Sequence, residues 1–249
     1  MRSFFLSLFL VLATSFASAQ NFADMSDAEA EAFGAAVRAY LLDNPEVIME
    51  AVAVLEQRQQ QDAAISDSDL VAQYYDQIFN DGFSAVSGNP EGTIMIAEFS
   101  DYKCGYCKRA YPQLLQLIED NPDIRFVLKE YPILGEESVL ASRAAISVLV
   151  NEGDEAYERF HDALMLENGP LTELSLPLIA EGLGLDSSKM METMNTALVT
   201  QMIQSNRTLG QQMQVSGTPT FVIGNQMLRG YVPLASMQQI VDETRAAME

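Results

Sequence analysis

The stretch Thr93-Ile94-Met95-Ile96-Ala97-Glu98-Phe99-Ser100-Asp101-Tyr102-Lys103-Cys104-Gly105-Tyr106-Cys107 sets an apolar run of strand length just before two cysteines three positions apart. Downstream, a helix is expected from Cys107 to about Asn121, with Ala110, Leu114, Leu117 and Ile118 facing inward and Pro122 ending it. Ile124-Arg125-Phe126-Val127-Leu128 reads as a second strand, closed by the Tyr131-Pro132 break. Strand, helix, strand in this order places the two strands parallel through a right-handed crossover. Residues 135–214 then read as a helical insert, punctuated at Gly153, Gly169-Pro170, Pro177 and Gly182. Strands return at Thr220-Phe221-Val222-Ile223, turn at Gly224-Asn225 and continue through Met227-Leu228, before a last helix near Pro233 with Met237, Ile240 and Val241 inward. The whole is a mixed α/β plan.

Cys104 and Cys107 are the only 2 cysteines of the chain. A bridge between them closes almost no loop and is a poor staple, since the stabilisation grows with loop length. Structural zinc takes four ligands, and there is no second cysteine pair and a single histidine, His161, far along the sequence. Redox chemistry is the remaining use. At a helix N-terminus, free N–H groups and the dipole favour a thiolate, so Cys104 is expected as nucleophile and Cys107, one turn inside, as resolving thiol. Lys103, Lys108 and Arg109 gather at this point of an acidic chain and are expected to add a positive field. Glu98 falls by alternation either beneath the cysteines, where a buried carboxyl can exchange protons with a thiol, or at an exposed strand end. Thr218-Pro219 opens the second strand block, either as a cis proline, a deliberate feature of a tight turn, or as an ordinary trans proline; the sequence does not settle the isomer. His161 is expected as a surface or helix-packing residue.

Met1 and Arg2, the apolar stretch Phe4 to Leu12 and the triplet Ala17-Ser18-Ala19 form a secretory signal peptide pattern, residues 1–19, with cleavage after Ala19. The apolar part is shorter than the roughly 20 residues of a membrane span. The net charge of -21 becomes -22 once Arg2 is removed, which argues against nucleic acid and anionic membrane surfaces as partners. Ser26 with Glu29 is a capping box, and Phe33, Val37, Tyr40 and Leu41 follow as one apolar stripe. Asn44-Pro45 opens a second helix with Val47, Ile48, Ala51, Val52 and Leu55 on one side, expected to fade into the polar run Glu56 to Asp62, and a further helical stretch runs from about Ser68 to Phe79. The first two helices pack either on the main domain or on copies of themselves.

A cysteine pair after a strand, a long helical insert and Gly217-Thr218-Pro219 before a hairpin resemble the DsbA-like branch of the thioredoxin superfamily. The strings Glu98 to Lys108 and Lys129-Glu130-Tyr131-Pro132-Ile133-Leu134-Gly135 are similar to its suppressor-of-copper-sensitivity protein C (ScsC) type, and Tyr40 to Ala51 resembles that type's N-terminal helical domain. The resemblance implies a thioredoxin-like fold with a helical insertion plus an N-terminal helical segment. It divides the chain into an oligomerisation segment, residues 20–66, forming trimers in some members, and a catalytic domain, residues 67–249. It implies Cys104, Cys107 and the buried acid Glu98 as catalytic residues, with Gly105, Tyr106, Thr218 and Pro219 binding substrate; no cofactor or resident metal is expected. The Gly105-Tyr106 pair and Thr218 before the proline look like periplasmic disulfide isomerases. The activity expected is therefore that of an exported, periplasmic thiol–disulfide oxidoreductase: an isomerase or reductase acting on exported proteins with cysteines and kept reduced by a membrane partner. The alternatives are a dithiol oxidase and, from another class, a Cu(I)-handling protein using the two thiolates.

Overall fold

The computed structural model describes residues 25–248; the expected signal peptide, residues 1–19, lies outside them. The chain divides after Arg58 into two compact units.

In the first unit, α1 (Asp27–Asp43) opens on Ser26, whose N–H and hydroxyl both donate to the Glu29 carboxylate, at 2.9 and 2.7 Å. The Asn44 side-chain amide closes the helix on the Tyr40 carbonyl at 2.9 Å. This helix buries none of its residues, and Tyr40, Leu42, Ile48, Val52 and Leu55 are all exposed. The following helix, α2 (Glu46–Gln73), does not fade at the polar run but continues through it to Gln73. No Gly or Pro interrupts residues 46–73, and the run is mostly Glu, Gln, Arg and Ala, good helix formers that extend a helix already begun. The stretch expected as one helix from Ser68 to Phe79 is accordingly the end of α2 and the separate short α3 (Tyr75–Phe79).

The second unit is built on a five-stranded sheet of order β1-β3-β2-β4-β5, with β1 (Ala85–Gly88), β2 (Ile94–Ser100), β3 (Ile124–Glu130), β4 (Thr220–Ile223) and β5 (Gln226–Arg229). The central pair β2 and β3 is parallel, in a register that sets Glu98 beside Leu128 and Ser100 beside Glu130; the crossover between them is α4 (Gly105–Asp120). All other pairings are antiparallel. The edge strand β1 was not expected, because Ala85-Val86-Ser87-Gly88 is short and runs into a turn-rich segment. Gly88 has φ 70, and a Cβ there would stand 2.7 Å from the Ile124 carbonyl oxygen, so the strand lies against β3 only with glycine at its end.

The insert forms α5 (Glu136–Glu152), α6 (Asp154–Leu166), α7 (Ser175–Gly182), α8 (Ser187–Thr193) and α9 (Ala197–Gln212), and the chain closes with α10 (Leu234–Ala246). Both sheet faces are covered, which is why β2 reads as a continuous apolar run rather than an alternating one. Ile94, Ile96, Ile124, Phe126, Phe221 and Ile223 join the core containing α4, α5, α6 and α10. Ala97, Phe99, Val127 and Val222 join Ile78 and Phe79 of α3 and Leu209 of α9 in the other core.

Candidate active site

β2 delivers the chain through Asp101-Tyr102-Lys103 to Cys104, the N-cap of α4, which therefore begins two residues before Cys107 rather than at it. The Cys104 sulfur accepts the Cys107 backbone N–H at 3.3 Å, and its thiol donates to the Thr218 carbonyl at 3.1 Å. Both cysteines are free thiols. Cys104 is pulled down to about 6, first by hydrogen bonding from Cys107, against the opposing effect of burial, and further by Thr218 and the first-turn N–H of Tyr106. Cys107, wholly buried, is pushed far up from the usual thiol range by burial, by Cys104 and by the Glu98 charge.

The three basic side chains are engaged elsewhere. Lys103 pairs with Glu137 at 2.8 Å, Lys108 donates to the carbonyls of Leu164 and Glu167 beyond the active-site helix, and the Arg109 guanidinium lies 4.6 Å from the centre of the Tyr231 ring. Hydrogen bonds at the helix end, not the positive field expected from these residues, account for the lowered thiol.

Glu98 is 2 % exposed and shares by alternation the sheet face of Ile96, which lies in the core containing both cysteines. Burial foremost, with repulsion from Cys104 and Glu130, raises its carboxyl to about 8. The Thr218-Pro219 peptide is cis. Pro219 is buried and its carbonyl accepts from Gly230 N–H at 2.8 Å, which ties this loop to the end of β5. Cys104, Cys107, Glu98, Thr218 and Pro219 thus converge on one place, while Gly105 and Tyr106 on the outer first turn of α4 face solvent, Tyr106 being 62 % exposed.

Sequence reasoning missed the polar groups holding this loop. The buried Asp101 carboxylate accepts Lys103 N–H at 2.8 Å on one oxygen, and Ile133 and Leu134 N–H at 2.8 and 3.1 Å on the other. Glu130, at the end of β3, accepts the hydroxyls of Tyr102, Tyr157 and Ser142, each at 2.6 Å, and burial raises its carboxyl to about 7. Tyr102 also meets Nδ1 of His161 at 2.9 Å; this histidine is buried among the rings of Tyr102, Tyr111 and Tyr157, and burial lowers it to about 3. The available signal was a strand ending in Lys129-Glu130 among apolar residues, a charge that burial must satisfy.

Residues 95–242 match the DSBA-like thioredoxin domain. The chain belongs to that family. Residues 29–62 match the copper resistance protein ScsC N-terminal domain. Among solved structures, a thioredoxin-like oxidoreductase from Silicibacter pomeroyi is 38 % identical over 69 % of this chain and 97 % of its own, with a TM-score of 0.65. The thiol-disulfide exchange protein alpha-DsbA2 of Wolbachia pipientis is 31 % identical, covers 73 % of this chain and 97 % of its own, and has a TM-score of 0.69. A linker-deleted ScsC of Proteus mirabilis is 28 % identical over 91 % of this chain and 100 % of its own, with a TM-score of 0.67. The chain spans about a quarter of the length of the curated relatives it matches first, sodium/proton antiporters of Salinispora arenicola and Salinispora tropica, at 27 % and 28 % identity over 63 % and 58 % of this chain. It is a member of the DsbA/ScsC-like thiol–disulfide oxidoreductases. No helix among the described residues is long and apolar enough to cross a membrane.

Proposed function

We propose that this protein is an exported protein disulfide isomerase or reductase that enters catalysis in the dithiol form. The Cys104 thiolate attacks one sulfur of a substrate disulfide; a mixed disulfide forms and the second substrate sulfur leaves as a thiolate. Isomerisation follows when a substrate thiolate attacks the mixed disulfide, returning Cys104 with no net electron transfer. Formation of the mixed disulfide removes the Cys104 charge that helps hold Glu98 protonated; reduction follows when Cys107 gives its proton to Glu98 in its ionised form and attacks Cys104, which releases the substrate dithiol and leaves the Cys104–Cys107 disulfide for a membrane thiol partner to reduce. Thr218 and Pro219 receive the substrate backbone beside Cys104, and Gly105 and Tyr106 border it.

The observation that carries the isomerase reading is the asymmetry of the pair. Cys104 is poised as a thiolate, while burial keeps Cys107 a thiol, so the mixed disulfide persists long enough for substrate thiols to rearrange. The same low thiol favours the second reading, a dithiol oxidase, because a low-pKa sulfur is a good leaving group. The exposed apolar stripe Ile48, Val52 and Leu55 supports a trimer through the N-terminal helices, which would present several active sites to one misfolded substrate. Residues 1–19 as a signal peptide would deliver the chain to the periplasm. The deciding experiment refolds a scrambled, fully oxidised protein with the reduced enzyme and a Cys104→Ser control. Cys104-dependent recovery supports the isomerase; no recovery, with rapid oxidation of a reduced substrate by the disulfide form, selects the oxidase.

A further inference from the structure

Glu130, the last residue of β3, is 3 % exposed, and among the described residues no lysine or arginine donates to it. Its chain neighbour Lys129 turns to the other sheet face and pairs with Asp81 at 2.6 Å. A buried carboxyl without a countercharge holds as an anion only if hydrogen bonds replace its water. Here the loop after β2, α5 and α6 each send it a hydroxyl. One oxygen accepts from Tyr102 and Tyr157 and the other from Ser142. Three donors suit an ionised carboxyl, which has no hydrogen of its own to give.

The parallel register sets Ser100 beside Glu130, so Glu98 and Glu130 share by alternation the sheet face whose core holds Cys107. Glu98 therefore meets like charge from two sides, Cys104 on α4 and Glu130 on β3, and both favour its protonated form. Burial keeps Tyr102, Tyr111, Tyr157 and His161 neutral around it, and Asp101 adds a charge that opposes ionisation of Glu130. When a mixed disulfide removes the Cys104 charge, Glu130 is the like charge that stays.

We propose that Glu130 is a positioning residue of the resolving step: its carboxylate, held ionised by three hydroxyls on the Glu98 face of the sheet, keeps Glu98 basic enough to take the Cys107 proton. The proposal rests on the proton role given to Glu98 above. In Glu130→Gln the amide oxygen can still accept from both tyrosines and the amide nitrogen can donate to Ser142, so the charge is removed and the shape is kept.

Reduced enzyme mixed with less than one equivalent of dithiobis(nitrobenzoate) releases one coloured thiolate when Cys104 attacks and a second when Cys107 resolves the mixed disulfide. The rate of the second release is expected to rise with pH through the ionisation of Glu98. In Glu130→Gln that midpoint is expected to fall by about half a pH unit to one pH unit, with a plateau roughly two- to threefold slower because the base is weaker. Ser142→Ala keeps Glu130 but removes a hydrogen bond that favours its ionised form, and is expected to move the midpoint the same way by less. Glu98→Gln is expected to lose the midpoint, and adding Glu130→Gln to it to change nothing further. An unmoved midpoint in Glu130→Gln, or in Ser142→Ala should the first variant not fold, would overturn the proposal, as would a slowing by Glu130→Gln that persists in Glu98→Gln. A second release without a Glu98-dependent midpoint in the unaltered protein would overturn the proton role of Glu98, and this proposal with it.

Discussion

Replacing Glu98 by Gln tests whether this carboxyl is held protonated by its surroundings. Its proton is released near 4.5 when the chain is unfolded and near 8 in the reduced native protein. Across that window the unfolded state binds fewer protons than the native state, so native stability falls as pH rises. Each tenfold change in proton affinity is worth about 1.4 kcal/mol, so the loss grows to about 3 kcal/mol by pH 7 and about 4 kcal/mol by pH 8. Glutamine has the shape of the protonated acid and cannot ionise, so the variant escapes this loss. Guanidinium unfolding of the two reduced proteins is expected to give similar stabilities at pH 4 and an advantage of about 3 to 4 kcal/mol for Glu98→Gln at pH 8. A difference independent of pH would refute the reasoning, because it would mean that the carboxyl ionises at its ordinary value or is not buried in the native state.

Alkylation of the reduced protein by iodoacetamide is expected to show a fast phase with a midpoint near pH 6, absent from Cys104→Ser and retained in Cys107→Ser with its midpoint raised, since hydrogen bonding from Cys107 is the leading cause of the low thiol. Ser142→Ala leaves the buried Glu130 one hydrogen bond short and is expected to lower stability by about 1 to 3 kcal/mol in denaturant unfolding. Ile48→Lys combined with Leu55→Lys, on the exposed stripe of α2, is expected to reduce the native mass from an oligomer to a single chain in light scattering while leaving each active site working.

The strand, crossover helix and parallel second strand were legible because apolar runs of strand length flank a helical period, and Cys104 and Cys107 stand out as the only cysteines of the chain. The edge strand β1 was not, because four small residues ending in glycine carry no pattern of their own and pair only through β3. The length of α2 was missed for the opposite reason: the polar run from Glu56 to Asp62 shows no apolar period although most of its residues favour helix. Thr218 and Pro219 could be named from their place before a hairpin, yet the isomer of their peptide bond depends on contacts across the fold. The links from Asp101 to Ile133 and from Glu130 to Tyr102, Ser142 and Tyr157 join residues up to 32 positions apart. Such links depend on topology, and a sequence pattern holds only the hint of a charge among apolar neighbours.

The proposed catalysis rests on Cys104 as the attacking sulfur and Cys107 as the one that resolves it. Incubating Cys107→Ser with a peptide closed by one disulfide, then quenching with acid, reads this directly by intact and fragment mass spectrometry. The predicted result is accumulation of a covalent peptide adduct mapped to Cys104, which the protein with both cysteines does not accumulate and Cys104→Ser does not form. An equal adduct on Cys107 in Cys104→Ser, or no adduct in Cys107→Ser, would contradict the account.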